Sequence, residues 1–167
     1  MSRFAVFALV LCLGACSSPP AEEETASPQE LEAAAGPVAG PPQVLPNDIA
    51  TLRIEQSAAL GPVVADGDHY TLYFDEKDGT SPPSSVCVEA DCTLVWSPLL
   101  AAGGKFDAPD IDPALLKTFM RPDGLEQVTI GGRPVYRYVD DENPGDTTGQ
   151  GVDGRFAIAP NGSKAAR

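Results

Sequence analysis

The sequence predicts a mainly β fold, in which two similar antiparallel β-units of about 45 residues pack as one small domain with one short helix between them. The chain of 167 residues contains 16 Gly and 17 Pro, and long helices tolerate neither residue. Short β-prone segments recur at close spacing along residues 50–159. An aromatic strand, an acidic turn and an aromatic anchor occur twice in that order, which indicates an internal repeat.

The strand candidates are segments rich in β-branched and aromatic residues. They cover residues 50–54, 70–74, 92–96, 127–130, 133–139 and 155–159. Gly131 and Gly132 separate two of these segments and favour a hairpin turn. Residues 112–119 are the one helix candidate, because Asp112 is a suitable cap and Pro113 suits the first turn.

Each unit is too small to bury its own apolar face, so the two units are expected to share one core. We expect Trp96 and Phe156 to occupy equivalent buried positions in that core, with Tyr73 and Tyr136 beside them. The alternative is that some of the aromatic residues face solvent and form a ligand platform.

Residues 1–15 are typical of a lipoprotein signal peptide. Arg3 precedes an apolar stretch that is too short to span a bilayer permanently. The stretch ends in Leu-Gly-Ala-Cys, which looks like a bacterial lipobox and predicts that Cys16 carries a diacylglycerol. The alternative is an ordinary secretory signal with a chance Cys. Lipid on Cys16 would supply at least two chains, enough for stable membrane anchoring, and Ser17 would direct the protein to the outer membrane of a Gram-negative cell.

Residues 16–47 are predicted to form the lipidated Cys and a disordered tether, since residues 17–47 contain seven Pro, five Glu and no basic residue. The repeat-containing β domain is predicted over residues 48–162, followed by a disordered tail at residues 163–167.

The whole chain has 24 acidic and 11 basic residues, a net charge of −13, which argues against a nucleic-acid partner. The expected partners are the membrane, through the lipid, and an unidentified protein or small-molecule ligand.

The second unit contains a motif of the form Tyr-x-aromatic-x-x-Asp at Tyr136, Tyr138 and Asp141. A Pro-Gly-Asp-Thr-x-Gly-Gln-Gly run follows at residues 144–151. With these features the chain resembles the predicted bacterial lipoproteins described as a secreted repeat of unknown function. The first unit resembles the same family less closely, because Phe74 directly follows Tyr73 and no aromatic stands one position later. The resemblance implies fold and location, and the family has no assigned activity.

Cys87 and Cys92 are the two cysteines left in an exported, lipidated chain, and an even remainder favours a structural disulfide. Their spacing is too wide for a redox Cys-x-x-Cys motif, and a metal or redox role is the alternative. The sequence contains a single His, so a site built from several histidines is excluded.

Clustered carboxylates in the two acidic turns could bind a metal ion such as Ca²⁺. The candidate ligands are Asp75, Asp78, Asp140 and Asp141, although neither turn has the spacing of a Ca²⁺ loop and solvated turns are the simpler interpretation. The sequence predicts no cofactor and assigns no catalytic residue.

Two functional hypotheses remain. The first is a membrane-anchored envelope lipoprotein that acts as a non-enzymatic binding or interaction module. The second is a small metal-binding or carboxylate-dependent enzyme of the envelope.

Overall fold

The structure is a computed structural model that describes residues 49–166. The predicted signal peptide, Cys16 and the tether lie outside the described residues. Within the described part, no helix is long and apolar enough to cross a membrane.

Residues 49–166 form twelve strands, one α-helix and three short 3-10 turns. The strands are β1 (Ala50–Ser57), β2 (Gly61–Asp66), β3 (Tyr73–Asp75), β4 (Gly79–Thr80), β5 (Pro83–Ser84), β6 (Trp96–Pro98), β7 (Phe106–Asp107), β8 (Leu116–Met120), β9 (Glu126–Ile130), β10 (Arg133–Pro134), β11 (Tyr136–Tyr138) and β12 (Arg155–Ala157). The helix, α1, spans Ala90–Val95, and the 3-10 turns span Ala102–Gly104, Pro113–Leu115 and Val152–Gly154. The protein is therefore mainly β, as the sequence predicts.

The strands form one central sheet and three smaller sheets. The central sheet has the order β12-β3-β11-β6, and all of its neighbours are antiparallel. Two three-stranded sheets, β2-β1-β7 and β10-β9-β8, are each built on a hairpin, and β4 pairs with β5. The predicted hairpin turn is present, because Gly131 and Gly132 have φ values of 61° and 82° and connect β9 to β10.

The same pairing pattern occurs in both halves of the domain. The β1–β2 hairpin pairs Leu52 with Asp66, and the β8–β9 hairpin pairs Leu116 with Ile130. Three backbone hydrogen bonds then link each hairpin to the central sheet in the same way. In matched order, the N–H groups of Leu72, Val64 and Ile158 donate to Val64, Ile158 and Leu72, and those of Val135, Val128 and Leu99 donate to Val128, Leu99 and Val135.

The central sheet alternates between the two units. Strands β3 and β6 come from the first unit and β11 and β12 from the second, so every neighbouring pair in this sheet joins one unit to the other. Neither unit alone can form the central sheet. The apolar groups on its two faces also draw on both units: one contains Leu72 and Val135, and the other contains Tyr73 and Tyr136.

In the central sheet Tyr73 pairs with Tyr136. These two tyrosines hold the same position in their units, so positions on either side of them can be matched between the units. Trp96 pairs with Tyr138 at the position where Arg155 pairs with Asp75. The counterpart of Trp96 is therefore Arg155, and the predicted equivalence of Trp96 and Phe156 is wrong by one residue. A shift of one residue reverses the face of a strand. Trp96 is accordingly buried. Phe156, which directly follows Arg155, lies on the opposite face, where it is half-buried and packs on Phe74.

The predicted helix over residues 112–119 is also wrong beyond its first turn. The Asp112 carboxylate accepts a hydrogen bond from the Ala114 N–H at 2.9 Å, as a cap should, but only the 3-10 turn Pro113–Leu115 follows. The chain then enters β8, where Thr118 pairs with Val128 of β9. Pairing with a distant strand outweighs the local helix signal there.

The one α-helix of residues 49–166 lies instead at Ala90–Val95, where the sequence predicts a strand at residues 92–96. The Glu89 carbonyl accepts hydrogen bonds from the N–H groups of Cys92 and Thr93, which closes the first helical turn. Only Trp96 of the predicted strand lies in β6. Short apolar segments of this kind fit either structure, so their type depends on the tertiary contacts.

Residues 163–166, predicted as a disordered tail, pack against the domain. The Ala165 N–H donates to the Ala157 carbonyl at 2.8 Å, and Lys164 forms a β-bridge with Ile158. Ala165 is buried. This segment covers the outer edge of β12, which would otherwise present unpaired backbone groups.

Candidate functional site at the crossed tyrosine–aspartate pairs

The two buried tyrosines of the central sheet each bond to an aspartate of the other unit. The Tyr73 hydroxyl donates to Asp141 Oδ2 at 2.7 Å, and the Tyr136 hydroxyl donates to Asp78 Oδ2 at 2.7 Å. Each aspartate lies five residues after the tyrosine of its own unit but accepts from the tyrosine of the opposite unit. We call these two contacts the crossed Tyr–Asp pairs. They join the units at the centre of the domain.

The middle position of the motif differs between the units. In the second unit Tyr138 stacks on Trp96, with ring centroids 4.3 Å apart. In the first unit Asp75 occupies the corresponding position and forms an ion pair with Arg155 at 2.9 Å. An ion pair thus replaces an aromatic stack, and the Arg155 guanidinium carbon also lies 4.8 Å above the Trp96 ring. The irregular motif of the first unit is explained by this exchange, since Asp75 and not Phe74 is the counterpart of Tyr138.

The carboxylates of the crossed pairs have further donors within the protein. Asp141 Oδ1 accepts from the Thr148 N–H at 2.9 Å and from the Thr148 hydroxyl at 2.6 Å. Asp78 Oδ1 accepts from the Val86 N–H at 2.8 Å. Asp141 is 4% exposed and Asp78 is 8% exposed, so neither offers a free carboxylate to a substrate.

Burial is the main influence on the protonation of this site. It raises the pKa of the Tyr73 and Tyr136 hydroxyls well above the usual 10.0, and their aspartate partners add to the shift in both. Both tyrosines therefore remain protonated hydrogen-bond donors at neutral pH. Burial also raises the pKa of Asp78 from its usual 3.8, although the bonds from Tyr136 and Val86 oppose that shift.

The Gly-Gln part of the family run packs directly on this site. A Cβ atom at Gly149 would lie 2.9 Å from the Trp96 ring, 3.0 Å from the Tyr73 ring and 3.1 Å from the Tyr138 ring, so any larger residue would displace an aromatic side chain. The next residue, Gln150, accepts the Ala157 N–H on its side-chain oxygen at 2.8 Å. Gly149 therefore packs against the rings of Tyr73, Trp96 and Tyr138. Gln150 covers part of the edge of β12.

The disulfide loop is attached to the second unit by a buried arginine. The structure joins Cys87 to Cys92, and Cys87 is fully buried. Arg121 donates to the Cys87 carbonyl at 3.0 Å and to Gln127 Oε1 at 2.8 Å, while its Nε forms an ion pair with Asp123. Sequence reasoning missed Arg121, because a lone arginine beside a turn carries no signal of burial.

The four predicted metal ligands are engaged separately. Asp75 pairs with Arg155, Asp78 and Asp141 belong to the two crossed pairs, and Asp140 accepts from the Tyr138 hydroxyl at 2.9 Å. Among residues 49–166 no group of three or more His, Cys, Asp or Glu side chains is placed to hold a metal ion. The structure does not bring these four carboxylates together.

The fold and the site define a disulfide-bonded, mainly β repeat domain whose motif residues are bonded to one another. Residues 117–157 match the family model described as a secreted repeat of unknown function. The match includes Tyr136, Tyr138 and Asp141 and confirms the resemblance over the second unit. No curated protein and no solved structure matches the chain significantly. The family description suggests export.

Proposed function

We propose that the protein is an exported, lipid-anchored envelope lipoprotein whose β domain acts as a non-enzymatic binding or interaction module. The lipobox that ends at Cys16 supports lipid anchoring, and the secreted character of the matched family supports export. In a Gram-negative cell, Ser17 would direct the protein to the outer membrane.

The observation that carries this proposal is the internal use of the motif residues. Both tyrosine hydroxyls and both aspartates of the crossed Tyr–Asp pairs are buried and bonded within the domain. A general acid or base must reach the substrate through its own side chain. Because these residues stabilise the domain from within, we expect a partner or ligand to bind to other residues, on the exposed surface. The alternative of a metal-binding or carboxylate-dependent enzyme is less favoured, because three of its candidate carboxylates, Asp75, Asp78 and Asp141, are buried and bonded within the domain.

The tether suits a module that acts at a distance from the membrane. Residues 17–47 would span about 30 Å as a flexible coil, and their seven Pro residues would extend that reach. Their five Glu residues, with no basic residue, would be repelled by anionic headgroups. The folded domain would then remain clear of the lipid surface and accessible to partners.

Membrane fractionation tests the anchor, and the signal peptide offers a matched control. Cys16→Ser should release the protein from the membrane fraction, whereas Cys12→Ser, four residues earlier, should leave it there. A Cys16→Ser protein that still sediments with membranes would show that this lipid is not the anchor. Elemental analysis of the purified protein tests the non-enzymatic assignment, since stoichiometric Ca²⁺ or transition metal would favour the metal-dependent alternative.

A further inference from the structure

Three large apolar side chains form an exposed patch where α1 meets the edge of the central sheet. Leu94 is 68% exposed, Val139 is 57% exposed and Val95 is 38% exposed. The Val139 N–H donates to the Val95 carbonyl at 3.0 Å, so these two residues are neighbours on adjacent chain segments, and Leu94 directly precedes Val95. We call Leu94, Val95 and Val139 the apolar edge patch. Contiguous exposed apolar residues often mark an interaction surface.

The helix that carries this patch has no buried residue. A helix this short is normally stabilised by packing an apolar face on the core. Here α1 is fixed by the disulfide from Cys92 to buried Cys87 and by the strand that follows it, while Leu94 faces solvent. The disulfide thus holds an apolar helix end in a defined position without covering it.

The two chain segments that carry the patch contain only acidic charges. Of the arginines near these segments, Arg155, beside Cys92, is paired with Asp75. Arg137, two residues before Val139, is paired with Asp66 and Asp68. Exposed Glu89 and Asp91 lie on the α1 side, and exposed Asp140 and Glu142 follow Val139. Residues 86–96 and 139–146 contain no basic residue. An apolar centre with an acidic rim is complementary to a partner that presents apolar side chains flanked by Lys or Arg.

We propose that the apolar edge patch binds a cationic, amphipathic segment of another envelope protein. Charge argues against the other occupants. A second copy would bring two acidic rims together, residues 17–47 contain only acidic charges, and anionic lipid would be repelled. This inference rests on the proposed role as a binding module and names the chemistry of the partner.

The probe for this proposal is a fluorescent amphipathic Lys/Leu peptide. The peptide is added to a protein that consists of residues 16–167. In this protein Cys16 is replaced by Ser, so that no lipid is attached. The patch variant is the double substitution Leu94→Asp and Val139→Asp. The matched control is Met120→Asp, which adds an acid at a site that is 62% exposed on the β8–β9 hairpin. Circular dichroism melts establish that each variant folds.

Fluorescence anisotropy should show saturable binding to the unsubstituted chain, weakened about tenfold or more by the patch variant and changed less than about twofold by Met120→Asp. The added acids make this test decisive, because attraction by charge alone would tighten with each Asp. Asp91→Asn with Glu142→Gln should also weaken binding, as should added salt.

Three results would overturn the proposal. They are absence of saturable binding to the unsubstituted chain, equal or tighter binding by the patch variant, and a dimer in sedimentation that Val139→Asp dissociates. The last result would assign the patch to a second copy of the chain. Because the chain used carries no lipid, a failure of the membrane anchor would appear in fractionation and leave these binding curves unchanged.

Discussion

Removing the hydroxyls of the crossed Tyr–Asp pairs should destabilise the domain by similar amounts on the two sides. Tyr73→Phe leaves Asp141 Oδ2 without its donor, and Tyr136→Phe leaves Asp78 Oδ2 without its donor. Loss of a hydrogen bond to a buried charged group costs about 1.5–3 kcal/mol, so we expect about 2 kcal/mol from each substitution. That would be a substantial part of the roughly 5–15 kcal/mol that stabilises a small domain.

Urea unfolding measures this cost directly. With a slope of about 2 kcal/mol per molar urea, a loss of about 2 kcal/mol lowers the unfolding midpoint by about 1 M. Tyr138→Phe is the matched control, because its hydroxyl bonds to exposed Asp140 and its removal should change stability by less than about 0.5 kcal/mol. If Tyr73→Phe and Tyr136→Phe were as mild as this control, the crossed pairs would not hold the units together and our reasoning would be refuted.

Other substitutions test the register, the disulfide and the buried charge. Trp96→Ala should cost about 3–5 kcal/mol in chemical unfolding and half-buried Phe156→Ala clearly less, whereas equal costs would contradict the observed register. The Cys87–Cys92 disulfide should contribute about 2 kcal/mol, and the denatured, unreduced mature protein should show no free thiol in either position; two titratable thiols would disprove the bond. The raised pKa of Asp78 means that the folded state binds its proton more tightly than the unfolded state. The contribution of Asp78 to the free energy of unfolding should therefore fall as pH rises from 3.8 through the raised pKa. In Asp78→Asn, melts over that pH range should show a smaller loss of stability with rising pH.

The family motif could be recognised from sequence, but its purpose could not. The spacing of Tyr136, Tyr138 and Asp141 is visible in one unit, and the Gly-Gly turn before it is a local signal that the structure confirms. Tyr136, however, bonds to Asp78, which lies 58 positions earlier in the chain. Contacts between residues so far apart in the sequence depend on which strands pair, and local periodicity does not determine strand pairing.

Two errors show the same limit at smaller scale. The Asp112 cap and Pro113 correctly indicate a helical turn, but pairing of β8 with β9 ends it after three residues. Matching the units by their aromatic anchors predicts that Phe156 is the counterpart of Trp96, because a large aromatic is the natural counterpart of another. The structure has Arg155 there, and an ion pair with Asp75 takes the place of a stacked ring. Only the register reveals that substitution.

The most direct test of this account is to separate the two units. Residues 48–109 and 110–167 are produced as independent fragments, and their thermal melts are recorded alone and after equimolar mixing. Because every pair of strands in the central sheet joins one unit to the other, neither fragment should show a cooperative transition alone, and the mixture should recover one. A sharp transition in either isolated fragment would contradict the interleaved architecture.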